Sequence, residues 1–401
     1  MKHACPEAEA VYCPRSRTVP PSRTSPICRN VDLPEQGHFI MTARLAIVGA
    51  GTIGSLHANS AAGLGVPVVA ACDPDRDKAA RLLAENGSSD GLATDRLETL
   101  LEDRSVDAVV IASPNRWHHE HALRCIDAGK AVLLEKPMAM TAEQCAEIHA
   151  AAKRAGVPLQ IGFVCRFAPA VAMVRSLIES GRLGEIYHIK AMLYRRRGIP
   201  GLGKWFTTRS ESGGGVLIDI GVHVIDLALH LLGHPKPQRV SGICESRFGS
   251  PIEGYIYDEM WAGPPDPAGT FDVEDAATGL IRCAGGCSIE FNVTWAANLP
   301  ERLIPDGVIV LGSKGGCSFD IWGQQITITD TSIGRLADAV LSVTEEPTWP
   351  AAWRDQHEAF RSVVADGKPA VADGTHGRTV QAVVDAIYRS SHNHREVEIN
   401  C

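Results

Sequence analysis

The chain has 401 residues, of which 45% are hydrophobic and 21% are charged, and its formal net charge is −8. Its length exceeds the roughly 250–300 residues at which a single hydrophobic core stops growing, so we expect two domains. The acidic balance argues against nucleic acid as a partner, and no apolar run comes near the roughly 18 residues of a membrane span, which argues against a membrane protein.

Residues 1–40 differ in composition from the rest of the chain. They are rich in proline and in Ser-Arg pairs, carry no periodic apolar face and lack the continuous apolar core of a secretory signal. We therefore expect a disordered N-terminal extension, with Met41 just before the first strand. The twelve cysteines of the chain are scattered without the spacing of a zinc site, which favours reduced thiols and a cytoplasmic location.

A glycine-rich turn follows the first apolar strand. Residues 49–54 read GAGTIG, which matches the dinucleotide-binding pattern G-x-G-x-x-G, and a helical pattern comes next. Asp73 lies nineteen residues beyond Gly54, close to the roughly 20 expected for a carboxylate that binds the adenosine ribose. Because a carboxylate repels a 2′-phosphate, NAD is favoured as the cofactor, while Arg76 leaves NADP as the less favoured alternative. The predicted cofactor contacts in this segment are Gly49, Gly51, Thr52, Ile53, Gly54, Asp73 and Arg76.

Further apolar strands alternate with helical patterns over 116–128 and 141–155, which predicts a doubly wound parallel sheet of the Rossmann type. In such a sheet, ligands bind beyond the carboxyl ends of the strands. Segments rich in polar residues follow two of these ends, so we expect them to line the cofactor cleft. They contain Ser113, Pro114, Asn115 and His118 after one strand, and Glu135 and Lys136 after the next.

Lys136 stands directly after an apolar strand, where an unpaired lysine is unusual. In a catalytic role its ammonium group would bind the reacting hydroxyl group, with a pKa lowered by partial burial and by the positive nicotinamide. The alternative is a surface lysine paired with Glu135. The neighbouring dinucleotide motif favours the catalytic interpretation.

The pattern changes after residue 163. A helix predicted over 169–180 is followed by strands grouped without helices between them, which indicates an open, mainly antiparallel sheet. Helices predicted over 353–366 and 375–391 close the chain. The expected fold class is therefore α/β, with a Rossmann domain over 41–163 and a second α/β domain over 164–401.

The segment 212–233 is apolar almost all round, yet it carries Asp219, His223, Asp226 and His230. Their spacings of four, three and four place them on one face of a helix. The three preceding glycines would let the chain pass close to another backbone. We predict that Asp219 and His223 face the cleft and hydrogen-bond side by side, since a carboxylate can orient a proton-shuttling histidine. The deeper Asp226 and His230 are predicted to be structural.

Asp219 and His223 have two other interpretations. In the first, they are a buried polar pair whose hydrogen bonds are made by neighbouring groups, with no catalytic role. They would also suit two ligands of one metal ion, but no third ligand is indicated and His230 lies too far along the helix to complete the set. We therefore expect no metal and favour an acid–base group of Lys136, Asp219 and His223.

Three stretches together resemble the Gfo/Idh/MocA oxidoreductase family, from about Arg44 to the C-terminus. They read VGAGTIGSLHA, ASPNRWHHEHALRCIDAGKAVLLEKP and GGGVLIDIGVHVIDLALHLLG. The resemblance implies that the second domain binds substrate and joins subunits into homodimers or homotetramers through its sheet. It also implies a catalytic triad of Lys136, Asp219 and His223, whose presence argues against the family's non-catalytic sugar sensors. The segments 1–40 and 250–272 depart from the family pattern, the latter as an apparent insertion.

The expected activity is oxidation of a secondary hydroxyl group of a sugar, glycoside or cyclitol by hydride transfer to NAD. The alternatives are an NAD-dependent glycosidase with transient oxidation, an NADP-dependent reductase and a non-catalytic sugar sensor. Residues 194–197, which read YRRR, lie either near the cleft or at solvent or a subunit interface. The candidate substrate contacts are Arg166, Trp205 and Trp353.

Overall fold

The apolar strands of the first half form a parallel sheet in a computed structural model, which describes residues 43–258, 262–300, 307–331, 333–345 and 348–400. The prediction of a disordered extension over 1–40 lies outside these residues. The sheet contains β1 (Leu45–Val48), β2 (Val68–Cys72), β3 (Leu92–Thr94), β4 (Ala108–Ile111), β5 (Ala131–Glu135) and β6 (Leu159–Gly162). The strand order β3-β2-β1-β4-β5-β6 is that of a dinucleotide-binding Rossmann fold.

Helices cover both faces of this sheet, so the central strands β1, β4 and β5 are buried along their whole length. The helix predicted over 141–155 is confirmed: it begins after Thr141, whose hydroxyl oxygen accepts the backbone N–H of Gln144, and it ends at the left-handed Gly156. The helices of this half are α1 (Thr52–Gly63), α2 (Arg76–Glu85), α3 (Leu97–Glu102), α4 (His118–Asp127) and α5 (Ala142–Ala155).

The second half builds a nine-stranded sheet in the order β14-β13-β12-β11-β7-β10-β9-β8-β15, from the strands β7 (Ile186–Tyr194), β8 (Pro237–Glu245), β9 (Ala276–Cys283), β10 (Ser288–Thr294), β11 (Gly307–Gly312), β12 (Gly315–Phe319), β13 (Gln325–Asp330), β14 (Ala337–Ser342) and β15 (Val397–Glu398). Neighbouring strands are antiparallel except β7 and β10, which are parallel. The predicted fold class, a Rossmann sheet followed by an open and mainly antiparallel sheet, is confirmed.

The helices of the second half are α6 (Pro169–Glu179), α7 (Arg209–Ser212), α8 (Val222–Leu231), α9 (Trp349–Asp366) and α10 (Gly374–Asn393). Helices α6, α8 and α10 pack against one face of the second sheet, whereas α9 packs against α1 of the first half. Helix α9 begins at Trp349, four residues before the start predicted at 353. The opposite face of the sheet lacks helices within the described ranges, so strands such as β8 alternate between buried and exposed residues.

One helical stretch, Arg209–Leu231, is long and apolar enough to cross a membrane by length and composition. However, 94% of its most apolar window is buried inside the fold. Its hydropathy is therefore explained by its place in the core, where α8 packs against β7 and β10.

Candidate active site

The glycine turn between β1 and α1 is shaped by two close backbone contacts. A Cβ atom at Gly54 would lie 1.9 Å from the carbonyl oxygen of Gly49, and one at Gly49 would lie 2.6 Å from that of Ala112. The structure therefore needs glycine at both positions. Gly51, at the start of α1, has no described atom within 4 Å of such a Cβ, so the space in front of the helix N-terminus is open for a pyrophosphate.

Asp73 is fixed beside this turn at the carboxyl end of β2. Its Oδ2 accepts the backbone N–H of Ala50 at 2.8 Å, and its Oδ1 accepts that of Asp75 at 2.9 Å. The half-buried carboxylate is thus held where the ribose of a dinucleotide would lie. Arg76 is exposed, and its Nε donates to the carbonyl oxygen of Ala93 at 3.1 Å. A carboxylate at this position fits the free ribose hydroxyl groups of NAD, and Arg76 lies near it on the surface.

A cleft of about 530 Å³, part of it open to solvent, lies beyond the carboxyl ends of β4 and β5. It brings together eight residues that the sequence predicts as cofactor contacts, catalytic residues or substrate contacts. They are Ile53, Ser113, Asn115, His118, Glu135, Lys136, Trp205 and Asp219. Pro114 is next to these residues in the chain but does not line the cleft, and Thr52 lies on the first turn of α1. Asp219 faces the cleft as predicted, whereas His223, on the first turn of α8, is not among the residues that line it.

Lys136 and Asp219 form an ion pair across the cleft. Lys136 Nζ donates to Oδ1 of Asp219 at 2.9 Å and to its backbone carbonyl oxygen at 3.0 Å. The side chains are 18% and 6% exposed, respectively. Burial acts to raise the pKa of Asp219, but the charges of Lys136 and Arg195 and the hydrogen bonds from Lys136 and Trp295 outweigh it and hold that pKa below its usual value. The alternative pairing of Lys136 Nζ with Glu135 is not observed in the described chain.

The helical segment that carries Asp219 and His223 is not a uniform α-helix. Leu217–Gly221 form a π-helical turn, and α8 begins only at Val222. The wider turn changes the angle between the two side chains, because an i→i+5 turn holds more residues than an α-turn. The predicted side-by-side hydrogen bond is therefore wrong: in the described chain both Asp219 oxygens bond elsewhere, Oδ2 to Trp295 Nε1 at 3.0 Å.

His223 is left with hydrogen-bonding capacity. Its Nδ1 is buried and has no hydrogen-bond partner among the described residues. Burial, reinforced by the charge of Lys136, lowers the pKa of His223 to about 3. The imidazole is therefore neutral near pH 7 and close to the Lys136–Asp219 pair. An unpaired buried nitrogen of this kind is typical of a site that binds a polar ligand.

Glu274 holds the start of this segment. Its Oε1 accepts the backbone N–H groups of Gly215 at 2.8 Å and Leu217 at 3.1 Å, and the hydroxyl group of Tyr388 at 2.8 Å. A Cβ atom at Gly215 would lie 1.9 Å from the carbonyl oxygen of Glu274. The prediction that the glycines allow close backbone approach is thus confirmed.

His118 and Asn115 tie the walls of the cleft together. The two ring nitrogens of His118 lie 2.7 Å from the carbonyl oxygen of Pro137 and 2.8 Å from that of Ser113. Nδ2 of Asn115 donates to the carbonyl oxygen of Ser212 at 2.8 Å. These contacts fix the loops after β4 and β5 relative to the segment that leads into the π-turn.

Two of the three predicted substrate contacts do not lie in the cleft. Arg166 is buried in the core, where its Nε and Nη2 donate to Asp226 at 2.9 and 2.7 Å and its Nη1 donates to the carbonyl oxygen of Val371. Trp353 on α9 is 2% exposed and packs edge-on against His57. Both predictions rested on residue type alone, whereas buried partners hold these side chains away from the ligand space.

Trp205 does line the cleft, with its ring stacked on Phe206 at a centroid distance of 3.7 Å. The apparent insertion supports this turn from behind, since Thr207 Oγ1 donates to the carbonyl oxygen of Thr270 at 2.8 Å. Of the three consecutive arginines, Arg195 points inward, 3.8 Å from Asp219 Oδ2, and Arg196 pairs with Asp258 at 3.5 Å.

Several residues of the site were not predicted from the sequence. The sequence around Trp295 shows a strand ending in an aromatic residue, but nothing in that pattern points to Asp219 as its partner. Glu274 likewise lies in a loop without a motif. Among the described residues, no group of three or more His, Cys, Asp or Glu side chains could hold a metal ion. Arg195 belongs to the stretch 194–197, for which a position near the cleft is one of the predicted alternatives, and its side chain lies beside Asp219. The unpredicted residues that contact catalytic candidates, support their segment or line the cleft are Trp295, Glu274, Phe206, Ser212 and Gly214.

Comparison with known proteins extends the picture. Residues 43–163 match the description "Oxidoreductase family, NAD-binding Rossmann fold", and residues 171–318 match "GFO/IDH/MocA C-terminal domain". D-glucoside 3-dehydrogenase of Escherichia coli (strain K12) is 33% identical over 371 residues, which cover 89% of this chain and 97% of that protein.

Solved structures agree on the fold. Levoglucosan dehydrogenase in complex with NADH matches with a TM-score of 0.78 at 22% identity, covering 89% of this chain and 99% of the other. GenD2 from gentamicin A biosynthesis, in complex with NAD, matches with a TM-score of 0.73 at 25% identity, covering 92% and 99%. The two family descriptions and the near full-length relative establish that the chain belongs to the Gfo/Idh/MocA family and is an NAD-dependent oxidoreductase.

Proposed function

We propose that the protein oxidises a secondary hydroxyl group of a sugar, glycoside or cyclitol to a ketone. The observation that carries the proposal is the Lys136–Asp219 ion pair beside the neutral, unpaired Nδ1 of His223. This group lies at the carboxyl ends of Rossmann strands, where ligands of such sheets bind. A proton acceptor and a cation close together suit a hydroxyl group that loses a proton and a hydride.

We assign catalytic roles to Lys136, Asp219 and His223. Lys136 Nζ donates a hydrogen bond to the substrate oxygen and stabilises the negative charge that develops there. His223 accepts the hydroxyl proton at a ring nitrogen, and the nearby Asp219 carboxylate stabilises the imidazolium that results. NAD⁺, when bound, supplies the acceptor for the hydride.

The cofactor contacts follow from the same arrangement. Gly49, Gly51 and Gly54 shape the pyrophosphate site, with Thr52 and Ile53 on the first turn of α1. Asp73 would hold the ribose, with Arg76 beside it. The polar side chains at the ends of β4 and β5 line the cleft and would hold the nicotinamide: Ser113, Asn115, His118, Glu135 and Lys136.

The substrate class is inferred from the aromatic wall of the cleft and from the relatives. Trp205 and Phe206 present an apolar aromatic surface near charged groups, an arrangement that suits the mixed apolar faces and hydroxyl groups of a sugar ring. Relatives are named D-glucoside 3-dehydrogenase and levoglucosan dehydrogenase, which supports a pyranose ring as the substrate core.

Assembly into homodimers or homotetramers through the second sheet is part of the proposal. The open face of that sheet carries Leu280, Ile309 and Leu311, together with Ile243 and Val340, which are 57% and 58% exposed. The same face carries the Lys190–Glu290 ion pair at 2.8 Å. Exposed apolar side chains interspersed with charged ones are typical of a protein interface. Light scattering should show an oligomer for the wild type and a smaller species for Leu280→Arg.

A cytoplasmic location also stays a proposal. It is supported by Cys72, Cys125 and Cys145, which are buried free thiols, since unpaired cysteines are usual in reducing compartments.

The decisive assay is NADH absorbance after NAD⁺ is added to the protein with a panel of glycosides, aldoses and inositols. A Lys136→Ala variant serves as the matched control. NADH formed with one substrate class, and lost in the variant, supports the proposal. Sugar cleavage without net NADH would indicate a glycosidase, and sugar binding without turnover would indicate a sensor. Faster turnover of a ketone with NADPH would indicate a reductase.

A further inference from the structure

A buried chain of three titratable side chains leads away from the cleft, and the roles assigned above involve only its first member, Glu135. Glu135, at the end of β5, places Oε1 3.2 Å from Nε2 of His57 on α1. Nδ1 of His57 lies 2.9 Å from Nε2 of His357 on α9. All three side chains are nearly inaccessible to solvent, with exposures of 5%, 0% and 3%. Three separate elements thus contribute to one hydrogen-bonded chain behind Lys136.

The Glu135–His57–His357 chain is tightly held at its Glu135 end. Oε2 of Glu135 accepts the backbone N–H of Lys136 at 3.2 Å, so both carboxyl oxygens have partners. Gly162 on β6 leaves room for this carboxyl group, because a Cβ atom there would lie 2.3 Å from Oε1. On the other side, Trp353 packs edge-on against His57 with ring centroids 4.5 Å apart. Glu135 also lines the cleft, so its charge acts on whatever binds there.

The geometry permits two complete hydrogen-bond patterns. With Glu135 ionised, His57 donates from Nε2 to the carboxylate and accepts at Nδ1 from His357 Nε2. With Glu135 protonated, its O–H donates to His57 Nε2, and His57 donates from Nδ1 to His357. No linking atom loses its partner in either state, so the carboxyl group can change charge without the cost of an unpaired buried donor.

Electrostatics places the charge change at Glu135. Burial raises the pKa of Glu135 to about 7, against the opposing charges of Lys136 and His118. Burial lowers the pKa of His57 to about 3, and it lowers that of His357 well below its usual value, with His57 adding to the effect. Both imidazoles therefore stay neutral near pH 7, and the carboxyl group is the member of the chain that titrates there.

We propose that the Glu135–His57–His357 chain is a positioning device that controls the charge of Glu135 and thereby makes the enzyme prefer NAD⁺ over NADH. An ionised Glu135 stabilises the positive nicotinamide ring of NAD⁺, whereas the neutral ring of NADH gains nothing from it. A protonated Glu135 removes the preference. The inference rests on the proposed nicotinamide position in the cleft but on no sugar substrate.

The test is calorimetric titration of NAD⁺ and of NADH into the full chain between pH 6 and 8, without sugar. For the wild type we expect NAD⁺ to bind more tightly as pH rises, by up to about tenfold per pH unit below the pKa of Glu135, while NADH changes little. NAD⁺ binding should also release protons near pH 7. Glu135→Gln should bind NAD⁺ with a flat pH profile, and it should release no protons.

Two variants of His57 separate this role from a purely structural one. His57→Phe removes the N–H donor to the carboxylate, so the pKa of Glu135 should rise and NAD⁺ binding at pH 7 should weaken while NADH binding is kept. His57→Gln should restore much of the difference, since its amide N–H can replace Nε2–H. His234→Phe changes an exposed histidine that lies outside the cleft and outside the Glu135–His57–His357 chain. It controls for a general effect of replacing histidine with phenylalanine and should match the wild type.

The proposal is overturned if the ratio of the two dissociation constants in the wild type does not change with pH. It is also overturned if Glu135→Gln keeps the wild-type profile, or if His57→Phe and His57→Gln weaken NAD⁺ and NADH equally. Because the assay contains only cofactors, absence of sugar oxidation would count against the proposed function and leave this result unaffected.

Discussion

One apolar helical segment carries two buried carboxylates, and each is paired with a cation. Asp219, on the π-turn, pairs with Lys136 at 2.9 Å, and the two side chains are 6% and 18% exposed. Asp226, two turns deeper on α8, pairs with Arg166 at 2.7 Å, and these side chains are 1% and 0% exposed. The residue types and the spacing are similar, but the surroundings differ.

The difference lies in what is left unpaired. Around Asp226, the guanidinium group of Arg166 donates twice to the carboxylate and once to Val371, which forms a closed structural pair. Around Asp219, the Lys136 ammonium group reaches the cleft and His223 keeps a nitrogen without a partner in the described chain. An ion pair with unpaired neighbours can bind a ligand, whereas a closed one can only stabilise the fold.

Lys136→Met should give the largest effect on turnover. Positioned acid–base and electrostatic catalysis contributes about 10²–10⁴-fold, so kcat should fall by at least about 100-fold. Steady-state NADH formation measures this loss, and urea unfolding checks that the fold is kept. Turnover close to that of the wild type would remove Lys136 from the mechanism.

Arg166→Met should act on stability instead. Removing one partner of a buried ion pair costs about 3–5 kcal/mol, because the other charge stays buried and uncompensated. The free energy of unfolding from urea titration should fall by about this amount, while kcat per folded molecule stays near that of the wild type. A stability equal to the wild type, combined with lost turnover, would reverse the roles of the two pairs.

The neutral His223 should make stability sensitive to acid. Its pKa is lowered by burial to about 3 in the folded chain, whereas the unfolded chain takes up the proton below about pH 6.5. Stability is therefore full above pH 6.5 and is lost as pH falls toward 3, by about 1.4 kcal/mol for each pH unit. His223→Gln should lose about 2 kcal/mol less than the wild type between pH 7 and pH 5. Parallel urea titrations at these two pH values provide the measurement, and equal losses would show that His223 is already charged.

Trp295→Phe should have the smallest effect. It tests how much a hydrogen bond to the Asp219 carboxylate contributes to the open ion pair. It removes the hydrogen bond from Trp295 Nε1 to Asp219 Oδ2 at 3.0 Å. One such bond to a charged group contributes about 1.5 kcal/mol or more, and Lys136 and Arg195 remain, so kcat should fall by about tenfold. The pKa of Asp219 should rise, and the acidic limb of the pH–rate profile should move upward. An unchanged profile would show that Trp295 only fills space.

The fold was largely predictable from the sequence, but the residues that bind and position the catalytic side chains, such as Trp295 and Glu274, were not. Alternating apolar strands and the 49–54 turn predict the parallel sheet because its strands are buried on both faces. The π-turn at Leu217–Gly221 escapes such reasoning, because a helical apolar pattern assumes 3.6 residues per turn. Trp353 was mispredicted because its neighbour His57 is distant in sequence and no local spacing connects them.

The most direct test of this account makes the same substitution in both carboxylates, Asp219→Asn and Asp226→Asn, and measures turnover and unfolding free energy in each. Asp219→Asn should lose at least about 100-fold in kcat and retain most of its stability, because Lys136 can still reach the cleft. Asp226→Asn should lose about 3–5 kcal/mol of stability and retain its turnover per folded molecule. If both variants lost turnover and stability in the same proportion, the division between a catalytic and a structural half of this segment would be contradicted.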